Sequence, residues 1–119
     1  ETMCILVDRG QIEDSLRGIL SNAIEAIFHG GTVSVKAIES TSEACLVTVN
    51  DNGIGMDMET MSRAFDPFFS GREAGRGIGL GLSKAFRLID ANGGSISMKS
   101  RLQQGTEVSI TLPRASRSA

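Results

Sequence analysis

Apolar positions along this chain switch between two periods, and the switches divide it into elements. Met3 to Val7 is a short apolar run that reads as a strand. From Gln11 to Phe28, Ile12, Leu16, Ile19, Leu20, Ala23, Ile24 and Ile27 recur at three- and four-residue steps, which predicts a helix with one apolar stripe. Gly30-Gly31 closes it, since glycine accepts the left-handed conformation of a helix cap. The period then drops to two. Val33, Val35 and Ala37 share one face and Cys45, Val47 and Val49 another, with Glu39 to Glu43 as a polar turn between them, the pattern of a hairpin. Met58 to Phe65 reads as a short helix and Asp66 to Gly77 as a loop. Ile78 to Ala91 reads as a second long helix, with Leu82, Ala85, Phe86 and Ile89 on one side and Asn92-Gly93-Gly94 as its stop. Ile96 and Met98, then Val108, Ile110 and Leu112, predict a last hairpin across Gln103-Gln104-Gly105.

The predicted order is β-α-β-β-α-loop-α-β-β. Hairpins adjoin helices without strict strand–helix alternation, so the expected class is α+β. The expected architecture is a two-layer α/β sandwich, with a mixed, mostly antiparallel sheet and the helices on one face. One domain spans 1–113, and 114–119 is a polar C-terminal tail that frays.

Composition narrows the range of functions. The chain has 119 residues, 40% hydrophobic and 22% charged, enough for one core and too apolar for disorder. A net charge of −2 argues against a general nucleic-acid binder. No apolar run reaches the roughly 18–20 residues of a membrane span, and no signal-peptide pattern opens the chain. Cys4 and Cys45 both fall in apolar, strand-like runs and are expected to be buried, reduced thiols in a cytosolic setting. Two features stand out. Glycine makes up 14 of the 119 residues, well above the usual ~7%, and five of them, Gly71, Gly75, Gly77, Gly79 and Gly81, alternate through one stretch. Three of the five Phe, namely Phe65, Phe68 and Phe69, are clustered beside it.

Three segments can carry chemistry. Asp51-Asn52-Gly53-Ile54-Gly55-Met56 follows a strand directly, which sets a carboxylate acceptor beside backbone that a flat ligand can approach closely; an ordinary Asp-Gly turn has the same residues. Gly75-Arg76-Gly77-Ile78-Gly79-Leu80-Gly81-Leu82 leads into a helix, where unpaired N–H groups and the helix dipole suit phosphate oxygens. It lacks the Gly-Lys-Ser/Thr of a P-loop and does not follow a strand, and a flexible linker before a helix start reads alike. Asn22 lies about 60° beyond the edge of the first helix's apolar stripe, between Gly18 and Glu25 on that face. A neutral oxygen there can complete a Mg²⁺ shell that nucleotide phosphates otherwise fill, or simply face solvent.

In their order and joint occurrence these segments resemble the ATP-binding catalytic domain of bacterial sensor histidine kinases, in the superfamily that also holds gyrase-type and mismatch-repair ATPases. Leu20-Ser21-Asn22-Ala23-Ile24-Glu25-Ala26 resembles the family's N box, Asp51 to Met56 its first glycine box, and Phe65-Asp66-Pro67-Phe68-Phe69 its F box. Gly77 to Leu82 resembles the second glycine box, and Gly105-Thr106 before a strand and Pro113 its closing motif. The resemblance runs from Met3 to Pro113 and implies a Bergerat fold with a mobile ATP lid near Ser70–Arg76. It implies that Asp51 accepts from the adenine amine, that Gly53 and Gly55 allow its approach, and that Asn22 coordinates Mg²⁺. It further implies that Gly77, Gly79, Leu80 and Gly81 wrap the phosphates of ATP, that Thr106 lies near the adenine, and that the Phe cluster anchors the lid.

Two positions depart from the pattern. Gly18 stands where the ATPase relatives carry a water-activating glutamate, so no general base is present for hydrolysis. Glu25 stands where many kinases place a cation, which leaves Arg72 and Arg76 of the lid as substitutes. His29, the only histidine, ends a helix, where a partial positive charge is favourable, and lacks the neighbours of a phospho-accepting histidine. The resemblance therefore implies a γ-phosphoryl donor whose acceptor histidine lies on a dimerisation and histidine-phosphotransfer domain of the same protein. A response regulator receiver domain would follow downstream. The domain is expected to be monomeric alone, homodimeric in its parent, and cytoplasmic, with a parent that an inner-membrane anchor would suit. Alternatives are a non-catalytic nucleotide- or partner-binding module and a protein-serine kinase of the same superfamily.

Overall fold

A computed structural model describes residues 5, 7–27, 30–39, 43–64 and 80–114. Seven elements follow one another: α1 (Arg9–Ala26), β1 (Val33–Glu39), β2 (Ala44–Asp51), α2 (Met58–Ser62), α3 (Leu80–Ala91), β3 (Ser95–Arg101) and β4 (Gly105–Pro113). The strands form one sheet in the order β1-β2-β4-β3. The expected mostly antiparallel sheet is antiparallel in every described strand pairing.

The core lies between this sheet and a layer made by α1 and α3. Ile12, Ser15, Ile19, Ala23 and Ala26 are the buried residues of α1, and Leu82, Ala85 and Ile89 are buried on α3. They meet Cys45, Val47 and Val49 of β2 and Val108, Ile110 and Leu112 of β4, the alternate residues that a pleated strand turns to one face. Phe86, read with the apolar side of α3, is instead 43% exposed. Val35 shares a face with Val49 through their pairing, yet it is 53% exposed, because the described helices pack chiefly on β2, β4 and β3 rather than on β1.

The ends of α1 differ by two residues from the sequence pattern, for local reasons. Asp8 takes an extended conformation and its carboxylate accepts the Gln11 N–H at 2.9 Å, so the helix begins at Arg9. It ends at Ala26, with Ile27 as cap, and Gly30 follows at φ 105° with its N–H on the Ile27 carbonyl at 2.7 Å. α2 stops at Ser62 rather than Phe65. Of the strand expected over Met3–Val7, Ile5 forms an isolated antiparallel bridge with Arg114, and residues 1–4 and 6 lie outside the described residues. So do the expected F box, the lid and His29. Cys45 is buried and free, as expected, while Cys4 lies outside the described residues.

Helices α1 and α3 run antiparallel, in a register set by polar side chains. Asn92, just after α3, accepts the Asp8 N–H at 2.7 Å and donates to Gln11 Oε1 at 2.8 Å and to the Leu88 carbonyl at 2.7 Å. Farther along, Lys84 Nζ stands 3.9 Å from Asp14 Oδ2. One turn back from Lys84 comes Leu80, the start of α3, and two turns beyond Asp14 comes Asn22, so both lie toward the same end of the helical layer, about a turn apart.

Candidate functional site

Across the end of the sheet, strand pairing places Val33, Asp51, Thr106 and Ser100 in one row. Asp51 is two residues from buried Val49 and therefore belongs to the face that the helices cover. It is half-buried, and its Oδ1 accepts the Gly53 N–H at 2.9 Å, which curls the chain out of β2. Thr106 beside it is only 6% exposed, and its Oγ1 lies 2.7 Å from Ser100 Oγ.

The loop after Asp51 is tied down on several sides. Asn52 pairs with Thr32, the Thr32 N–H reaching Asn52 Oδ1 at 2.7 Å and the Asn52 N–H reaching the Thr32 carbonyl at 3.3 Å. The Ile54 N–H donates to the Ala26 carbonyl at 3.1 Å, and the Ile54 carbonyl accepts the Gln103 N–H at 2.7 Å. Met56 N–H donates to Ser100 Oγ at 2.8 Å. Ala26 is one turn beyond Asn22, so α1 ends in the Asp51 loop, with half-buried Asn22 close behind.

The two glycines of this loop have a specific explanation. A Cβ on Gly53 would collide with the Ala26 carbonyl, and one on Gly55, which has φ 66°, with the Arg101 carbonyl. Gly105, at φ 113°, similarly faces the Asp51 carbonyl. The close approach seen at Gly53 and Gly55 is thus to the chain's own backbone. Their substitution would move the loop that carries Asp51.

Of the residues singled out from the sequence, Asn22, Asp51, Gly53, Gly55 and Thr106 meet at one end of the sandwich. Leu80 and Gly81 open α3 at the same end. Arg72, Arg76, Gly77 and Gly79 lie outside the described residues. Sequence reasoning passed over Ser100, and it quoted Asn52 and Gly105 within their motifs without giving either a role. For Ser100 a signal existed, because extending the register of the last hairpin toward its turn pairs residue 100 with Thr106.

Among the described residues no group of three or more His, Cys, Asp and Glu side chains is placed to hold a metal ion. A divalent cation held with a nucleotide draws ligands from its phosphate oxygens. A single amide oxygen such as that of Asn22 fits a partial role beside them. Exposed Asp57 caps α2 nearby. Its carboxyl is held below the usual carboxylate value by the hydrogen bond from the Thr60 backbone N–H, and further by the Thr60 side chain.

Residues 7–116 match the family model described as histidine kinase-, DNA gyrase B-, and HSP90-like ATPase. The signal transduction histidine-protein kinase AtoS of Escherichia coli K12 is 33% identical over 92% of this chain, which spans 18% of that protein. Sporulation kinase B of Bacillus subtilis 168 is 32% identical over 93% of this chain and 26% of its own length. The chain thus spans about a quarter or less of the curated relatives it matches here. Full-length ShkA, solved in complex with AMPPNP, superposes with a TM-score of 0.83 at 29% identity, over 99% of this chain and 24% of that one.

Proposed function

The chain belongs to the histidine kinase-, DNA gyrase B-, and HSP90-like ATPase family, and from that premise we propose that it is the ATP-binding catalytic unit of a sensor histidine kinase. The observation that carries the reading is the meeting of Asp51, Thr106 and Asn22 with the start of α3 at one end of the sandwich. A carboxylate acceptor for the adenine amine and a helix N-terminus for phosphates suit an adenine nucleotide. The kinase names of the relatives and the AMPPNP in the ShkA complex support it.

In this reading Asp51 takes the adenine amine, and Thr106 lies beside it. Gly53 and Gly55 keep the loop at the height that the amine needs. Leu80 and Gly81, with Gly77 and Gly79 before them, face the phosphates, and Arg72 and Arg76 supply positive charge. Asn22 offers an oxygen to Mg²⁺, whose charge offsets that of the phosphates. Bound ATP supplies the transferable γ-phosphoryl group, and phosphoryl transfer asks chiefly for positioning and charge stabilisation. The acceptor histidine is on a dimerisation and phosphotransfer domain of the parent protein, which is homodimeric and serves a response regulator receiver domain. ATP places the unit in the cytoplasm. Among the described residues no helix is long and apolar enough to cross a membrane.

The test is a calorimetric titration of ATP and ADP into the chain, with and without Mg²⁺, beside Asp51→Asn. The amide keeps an oxygen for the Gly53 N–H but presents a donor where the adenine amine needs an acceptor. Affinity is expected to fall roughly 10–100-fold, the range of a hydrogen bond to a charged group. Wild-type protein that binds no nucleotide at millimolar concentration ends the proposal. Supplied with a histidine-bearing helical hairpin domain, the chain should form phosphate that is acid-labile and base-stable. Acid-stable phosphate would instead point to a serine kinase.

A further inference from the structure

Ser100 has no assigned role in nucleotide binding, yet its half-buried hydroxyl joins three parts of the site. It lies 2.8 Å from the Met56 N–H, 3.1 Å from the Gly105 carbonyl and 2.7 Å from Thr106 Oγ1. A hydroxyl has one proton and two lone pairs. The Met56 N–H can only donate, so one lone pair of Ser100 receives it. The Gly105 carbonyl can only accept, so the single proton of Ser100 goes there. The one assignment that makes all three contacts hydrogen bonds leaves a lone pair for Thr106, which then donates its own proton to Ser100. Thr106 is left with acceptors alone. Its neighbour in the row, Asp51, is a carboxylate and also accepts only.

We propose that Ser100 is a positioning residue that sets the hydrogen-bond polarity of the base site. By taking the Thr106 proton, it makes Asp51 and Thr106 a pair of acceptors, one for each N–H of an exocyclic amine, and so favours a purine with that amine over one with a keto oxygen in the same place. The inference deepens the nucleotide reading above and rests on it. Discrimination of this kind is steep because a buried polar group facing a like group has no partner.

The decisive experiment compares the affinities of ADP and of IDP, which carries a keto oxygen in place of the amine. The proteins are the wild type, Ser100→Ala, Ser100→Thr, Thr106→Val and the Ser100→Ala/Thr106→Val double variant, each checked for folding by circular dichroism. Wild type is expected to prefer ADP. In Ser100→Ala the Thr106 proton is released to turn toward a keto oxygen, and the ADP:IDP preference should fall about tenfold, equivalent to 1.4 kcal/mol. Ser100→Thr keeps the hydroxyl and should keep the preference. In the Thr106→Val background the Ser100→Ala change should leave the ratio within about twofold, since no hydroxyl remains whose direction matters.

A Ser100 that merely holds the loop would weaken ADP and IDP by the same factor, and that result would overturn the proposal. An equal change in ratio with and without the Thr106 hydroxyl would do so too. Should Ser100→Ala not fold, Thr106→Val decides alone, because it removes the hydroxyl in question and leaves Met56 and Gly105 untouched; an unchanged ratio sinks the idea. Wild-type protein that binds both nucleotides equally refutes the polarity and leaves the nucleotide site standing. Binding of neither removes both.

Discussion

At the scale of single residues, the glycines show how one residue type serves different needs. Gly93 has φ 78° and open space around it, the nearest atom to an added Cβ being Pro113 Cγ at 4.0 Å. Gly55 has φ 66° and the Arg101 carbonyl in the path of any Cβ. Alanine at Gly93 costs only the left-handed strain of an L-residue, about 1–2 kcal/mol. Alanine at Gly55 adds a backbone displacement, and a total loss of about 3–5 kcal/mol is expected, the range in which a named steric cause is required. Urea denaturation of the two variants measures the difference; equal losses would mean that the loop yields freely. The Asp51 loop cannot yield freely if its ties to Thr32, Ala26, Ser100 and Gln103 hold together.

Among the elements, α2 is the one whose stability should depend most directly on pH. Its N-cap Asp57 accepts the Thr60 N–H at 2.7 Å, and that bond lowers the carboxyl's pKa in the folded chain. A lowered folded pKa means that the cap contributes stability above the unfolded aspartate value. That contribution is lost as pH falls through the folded one. The Thr60 amide resonance should therefore titrate with a midpoint below that of a free aspartate, and Asp57→Asn should flatten the titration. The elements also show what the sequence discloses and what it hides. α1, the two hairpins and α3 were legible because periods of 3.6 and 2 reflect burial on one face, as at Ile12, Ile19, Val49 and Ile110. The exposure of Val35 was not, since strand alternation records a face and not whether a helix covers it. Asp51, Asn22 and Thr106 could be picked out as candidates from motif order. Ser100 and Asn92 escaped because their roles come from pairings across the sheet and between helices, at sequence separations no local pattern carries.

For the molecule as a whole, the question is whether the site is an appendage or part of the cooperative fold. Its residues come from the C-terminal end of α1, the end of β2, the start of β4 and the end of β3. The loop between them is hydrogen-bonded to α1, to β3 and to the segments flanking β1 and β4. A ligand held there contacts elements that also form the core around Val49 and Ile110. Binding to the folded state alone stabilises by RT ln(1 + [L]/Kd), about 2.7 kcal/mol at a hundredfold excess over Kd. If the site and core open as one unit, ADP at that excess should slow amide exchange at Ile110 and at Ile54 alike, each by about a hundredfold. If the loop opens by itself, Ile54 would exchange through local unfolding and respond to ADP, while the core amides would be slowed by a different factor. Hydrogen exchange followed at both positions separates the two cases. Matching factors are expected, because Ile54 and Met56 are tied to Ala26 of α1 and Ser100 of β3, elements that also pack in the core.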